Sequence, residues 1–241
     1  MRIPGPDDPS EQPQRPEQLD ADRREGVGWD LIFDLMAMIA ELKSTDGIVE
    51  VDFQIYDPVP VFTIETIEHG LGVRVPERIK SFYRVTDGLD FSWSYTGPDG
   101  QIVPGGGARI CDFATVFDNW LDVLWRAEAR HDEDQHSEDQ QDFFWSLRGF
   151  DQYSAPDSDD MVVMCVEEEY PTYDLFVHDL ASRESRLLDL SFGEYFECLI
   201  ASRGTHGWRI PLTEGADTDA PEFSDLAERF FPDTDFGRWN R

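Results

Sequence analysis

Side chains able to do chemistry are thinly spread in this chain and do not converge. Of its five histidines, His131 and His136 stand in the stretch EARHDEDQHSEDQQD at 128–142. Two histidines share one helix face, as a metal pair, when they are four residues apart; these are five apart. With Asp132, Glu133, Asp134, Glu138 and Asp139 among them, the stretch reads as a solvated charge run rather than a metal site. His178 and Asp179 adjoin on a predicted strand and point to opposite faces, so they form no base–orienter pair. No GxSxG elbow and no GxxxxGK phosphate loop occurs, and Pro104-Gly105-Gly106-Gly107 reads as a flexible connection between strands. The carboxylates are too numerous for any two to be singled out as a glycosidase-like acid and base. No catalytic residue, metal ligand or cofactor is assigned.

The densest acidic feature is Glu167-Glu168-Glu169, beside Tyr170 and Tyr173. It has two readings: a strand end leaving the sheet for solvent, or a patch for a cationic partner. On the second reading, Glu167, Glu168 and Glu169 join Asp132, Glu133, Asp134, Glu138 and Asp139 as the candidate partner-binding residues.

The whole chain shares this charge. Its 241 residues hold 51 acidic and 20 basic side chains, a net charge of −31. Such a surface repels phosphate, which argues against direct contact with nucleic acid or an anionic membrane and favours a basic protein partner. Solubility alone is the competing explanation of the acid. Apolar residues make up 40% of the chain, with 17 Phe, enough for a folded core. Cys111, Cys165 and Cys198 are odd in number and flanked by apolar sequence, which predicts reduced, buried thiols in a cytoplasmic protein. Neither an apolar leader nor a membrane-length apolar run is apparent.

The elements that must position any site follow from periodicity. Residues 1–27, rich in Pro and charge, predict a disordered tail. Trp29, Ile32, Phe33, Met36, Ile39 and Ala40 recur at helical spacing and predict the inner stripe of a helix. Residues 48–57 alternate as a strand, 62–70 form a short helix, and Pro76 opens another that Asp87-Gly88 ends. Strands follow at 89–95 and 101–103, with a short one near Ile110. A helix from Asp112 carries Phe113, Val116, Phe117, Trp120, Leu121 and Leu124. Met161–Val166 reads as a strand buried on both faces. Tyr173–Leu180 and Ser185–Leu190 form a hairpin. Ser191 and Glu194 make a capping-box pattern at the head of a further helix. A short amphipathic piece spans Phe223–Phe231. The order predicts an α+β fold, a single mixed or antiparallel sheet packed by several helices. The boundaries are a tail at 1–27, a domain at 28–212 and a C-terminal extension with a short helix at 213–241.

The stretch IETIEHGLGVRVPERIKSFYRVTDGLDFSW carries Ile67-Glu68, Leu71-Gly72, Val75-Pro76, Phe82-Tyr83 and Asp87-Gly88 in order. It resembles the signature of the SUKH superfamily in its Smi/Knr branch. The later SFGEYFECLIASRG and Gly207-Trp208 extend the resemblance over about residues 60–208. Here Asp87-Gly88-Leu89 stands where the family commonly has Asn-Gly-Gly. The resemblance implies a non-catalytic SUKH-like binding domain. Bacterial members are similar to immunity proteins that neutralise toxins passed between competing cells, many of them acting on nucleic acid. It implies no functional site among the motif residues, since Gly72, Pro76 and Gly88 set turns and caps. Together with the charge, it leads to the expectation of an immunity protein for a basic toxin domain. The alternatives are a cytoplasmic scaffold or regulatory module of the Smi/Knr type with no toxin partner, and an acidic enzyme of unrecognised type.

Overall fold

The computed structural model describes residues 28–72, 74–118, 146–153, 160–166, 172–180, 182, 184–214, 221–232 and 234. The segment 1–27 and the helix positions Trp120, Leu121 and Leu124 lie outside them. Seven strands form one antiparallel sheet in which each strand pairs with its neighbour in sequence. They are β1 (Ile48–Ile55), β2 (Leu89–Thr96), β3 (Ile102–Ile110), β4 (Leu147–Asp151), β5 (Asp160–Cys165), β6 (Leu175–Asp179) and β7 (Ser185–Leu188). The described residues also form six α-helices: α1 (Trp29–Ser44), α2 (Val61–Leu71), α3 (Glu77–Tyr83), α4 (Phe113–Phe117), α5 (Phe192–Ser202) and α6 (Pro221–Phe230). A 3-10 turn spans Ile210–Leu212. The fold is α+β, as the order of elements predicts.

Strand alternation sorts side chains between two cores. Phe91 and Trp93 of β2, Ala108 and Ile110 of β3, Phe150, Val162, Met164, Leu175 and Leu188 share the larger core with residues from all six helices. Leu147, Met161, Val163 and Cys165 form a second cluster, with Phe176 packed against it. Residues of β5 thus enter both cores, as its unbroken apolar run predicts. Helix α6 and the residue after it belong to the larger core: Phe230 and Phe231 set their rings edge-on to Trp93, each 5.8 Å away.

Local chemistry explains several boundaries. Ser191 Oγ accepts from the Glu194 N–H at 3.3 Å, and Glu194 Oε2 accepts from the Ser191 N–H at 2.9 Å. This reciprocal cap starts α5 and is worth about 1 kcal/mol. Gly72, at φ 73°, closes α2 in the left-handed region.

Three expectations are corrected. In α1, Ile32 and Ile39 are buried as predicted, together with Leu35, Met38 and Leu42. Trp29, Phe33, Met36 and Ala40 face outward instead. The helix is apolar on two faces, and periodicity alone does not say which one the aliphatic core takes. Helix α3 ends at Tyr83, short of Asp87-Gly88. Asp87 serves a different element: its Oδ1 accepts from the Phe113 N–H at 2.7 Å, at the start of α4.

The third correction concerns Pro104-Gly105-Gly106-Gly107, which lies inside β3 rather than in a loose connection. A Cβ on Gly105 would enter the Trp93 ring, and one on Gly106 would meet the Gly204 carbonyl. These glycines allow two neighbouring segments to come close. They do not supply slack.

Candidate functional site

The eight acidic residues expected at a partner surface, Asp132, Glu133, Asp134, Glu138, Asp139, Glu167, Glu168 and Glu169, lie outside the described residues, as do His131 and His136. His178 is fully buried on β6, with Nδ1 2.8 Å from Ser185 Oγ on β7. Burial lowers its pKa to about 4, against a smaller opposing effect of Asp179. Asp179 turns away and accepts from the Ser182 N–H at 3.1 Å, in keeping with opposite strand faces. Cys111, Cys165 and Cys198 are buried and form no disulfide; burial raises the Cys111 thiol far above its ordinary value. Among the described residues, no group of three or more His, Cys, Asp or Glu side chains is placed to hold a metal ion.

Polar side chains do converge where β3 meets β4. That pairing is a single register pair, Ile110 with Asp151. It is flanked by the Cys111 N–H to Phe150 C=O and Gln152 N–H to Arg109 C=O bonds, both 2.9 Å. Beyond it, the edge of β3 is taken over by the segment after α5. Gly107 N–H donates to Gly204 C=O at 2.9 Å, and His206 N–H donates to Gly105 C=O at 3.0 Å. The glycines of β3 make this approach possible.

Asp151 fills the junction and is fully buried. Its Oδ1 accepts from the main-chain N–H groups of Arg109 and Tyr153, both at 2.9 Å. Its Oδ2 accepts from the Tyr195 hydroxyl and Arg209 Nη2, both at 2.6 Å. Arg209 Nη1 also donates to the Tyr153 carbonyl at 3.1 Å, and its guanidinium lies 5.4 Å from the Trp208 ring centre. The Tyr153 hydroxyl is 3.0 Å from His206 Nε2, the two rings being stacked.

The electrostatics follow from burial. Burial works against the charge on Arg209, but Asp151 and Tyr195 outweigh it, so its pKa is raised. Burial raises Tyr195 well above the ordinary tyrosine value against the pull of Arg209, and raises Tyr153 to about 12. Burial and then Arg209 lower His206 to about 4. At neutral pH both tyrosines are therefore protonated and His206 is neutral, and none of the three titrates near 7, where acid–base catalysis is most effective. Asp151 has its four acceptor positions occupied from within. The cluster ties a thin place in the sheet to α5 and the segment behind it. No local motif announces it: Asp151 and Arg209 are 58 residues apart.

A cleft of about 410 Å³ opens beside β7 and the start of α5. Leu187, Leu190, Pro211 and Leu212 supply apolar walls, and Asp189, Glu194 and Glu214 supply carboxylates. Among the described residues that line it, none is basic. Glu194 is engaged in the helix cap, whereas Asp189 and Glu214 are exposed. An apolar floor with acid at the rim suits the aliphatic stem and charged tip of a Lys or Arg. No protein-family model matches the chain, and no curated protein matches it either.

Proposed function

We propose that this chain is a non-catalytic, protein-binding domain that neutralises a basic toxin acting on nucleic acid, as an immunity protein does. The observation that carries the reading is the placement of charge. In a chain of net charge −31, the polar groups at the β3–β4 junction are spent on internal bonds, while carboxylates stand beside apolar walls at the surface cleft. A toxin that grips nucleic acid presents a basic cleft of its own, and complementary fields speed and select the encounter. The resemblance to the Smi/Knr branch of the SUKH superfamily supports the same reading. In it, Asp132, Glu133, Asp134, Glu138, Asp139, Glu167, Glu168 and Glu169 are the candidate contacts.

The test is a binding and protection assay with basic, nucleic-acid-acting toxin domains, any encoded near this chain's gene being tried first. The expected result is a complex that tightens at low salt and protects cells producing the toxin. No complex and no protection would overturn the reading, and capture of a non-toxin partner at the same surface would move it to the scaffold class.

A further inference from the structure

Helix α1 carries more apolar surface than the fold uses. One stripe, Ile32, Leu35, Ile39 and Leu42, is buried. A second stripe at i, i+4 and i+7 faces solvent: Trp29 is 61% exposed, Phe33 63% and Met36 52%. Isolated exposed apolar residues are ordinary, but three large ones aligned on one helix face form a patch. Asp30 and Asp34, one position further round the helix, run beside it and are also exposed. Glu41 continues that acidic side but is held by Arg203 Nη2, at 2.8 and 3.0 Å. The helix has one cation, Lys43, in its last turn and away from this half.

We propose that the outer face of α1, with Trp29, Phe33 and Met36 as anchors and Asp30 and Asp34 as flank, docks an amphipathic, Lys/Arg-bearing helix of a partner protein. This rests on the reading of the chain as a binder of basic proteins and names the surface. Charge complementarity selects the occupant. The anchors run along one helix face at the spacing that lets a second amphipathic helix pack beside α1, and the aspartates match a basic row beside that partner's apolar stripe. A second copy of this chain is a poor occupant, because each copy brings the same aspartates and a net charge of −31.

The probe is an amphipathic Leu/Lys helix peptide of about 18 residues, long enough to hold helical structure on the surface. A scrambled peptide of the same composition reports attraction by charge alone. The wild-type chain is expected to bind the patterned peptide more tightly than the scrambled one. The double substitution Phe33→Ser and Met36→Ser, at exposed positions the core does not use, should weaken the patterned peptide about tenfold or more. Asp30→Lys with Asp34→Lys should weaken it as well. Equal binding of the two peptides, or of wild type and Ser variant, overturns the proposal. So does a wild-type dimer that the Ser variant converts to monomer, since the occupant would then be a second copy.

The toxin-domain assay separates this failure from that of the parent reading. A Ser variant that holds the toxin domain as tightly as wild type overturns the α1 face and leaves the immunity reading intact. A wild type that binds the peptide through α1 but ignores the toxin domain overturns the immunity reading and supports the face.

Discussion

The side chain of Asp151 accepts a hydrogen bond from the main-chain N–H of Arg109 at 2.9 Å, across the junction where β3 and β4 share one register pair. A carboxylate thus stands in for a sheet carbonyl. It carries a charge into the interior, and Arg209, with 11% of its side chain exposed, answers it at 2.6 Å.

Breaking this pair from either side should be costly. Asp151→Asn leaves the Arg209 guanidinium buried without a counter-charge, and a loss of about 3–5 kcal/mol is expected. Arg209→Met leaves the carboxylate with three of its four donors, and the loss should be similar or somewhat smaller. The double variant should lose less than the sum of the two, by about 1–3 kcal/mol. Urea denaturation of the three variants measures all of this. Strict additivity would show that the two groups are not coupled.

A second prediction uses glycines of opposite sign. Gly106→Ala drives a Cβ into the Gly204 carbonyl, which must part β3 from the segment after α5. A loss of about 3 kcal/mol or more is expected, at the upper end for single substitutions. Gly70 lies in α2, where an added Cβ meets nothing within 4 Å. Gly70→Ala should stabilise by about 0.5–1 kcal/mol through helix propensity and a less varied unfolded chain. Thermal denaturation should move the two midpoints in opposite directions.

The same residues show how far sequence reading reaches. Features written in neighbouring positions were legible: the Ser191–Glu194 cap, the two-sided burial of β5 and the hairpin of β6 and β7. The glycine triplet was misleading because three residues without side chains have no periodicity. What they accommodate, Trp93 and Gly204, lies elsewhere in the chain. The inner face of α1 is not legible from its period, because Trp29 and Phe33 dominate the apolar pattern while Leu35 and Leu42 make the contacts. The Asp151 cluster was not legible at all. It draws on β3, β4, α5 and the Trp208 segment, and its members look ordinary until the sheet junction brings them together.

Histidine burial gives a pH dependence whose sign is fixed. His178 and His206 have folded pKa values near 4, below the ordinary 6.5 of an unfolded histidine. Between those values the unfolded chain binds more protons, so stability falls as pH drops from about 6.5 to 4. Carboxylate protonation overlaps the lower end of this window, so the comparison is with His206→Gln, whose amide keeps a partner for the Tyr153 hydroxyl. The wild type's advantage over this variant should shrink by about 3 kcal/mol from pH 7 to pH 4. A gap independent of pH would mean that His206 does not stay neutral in the fold.

Salt should act on this molecule with two opposite signs. A net charge of −31 repels itself in the compact state more than in the expanded chain. Raising ionic strength from about 0.01 M to 1 M shortens the screening length from about 30 Å to 3 Å. The folded state should therefore gain on the order of 1 kcal/mol, which is about 2–4 °C in melting temperature for a chain of this size. The same screening removes the field that would draw in the proposed basic partner, whose association rate should fall about tenfold or more. Dissociation should respond less, because apolar anchors such as Phe33 and Met36 are insensitive to screening. Melting curves and stopped-flow association over one salt series measure both. A partner that associates at the same rate throughout would show that the charge serves solubility and not recognition.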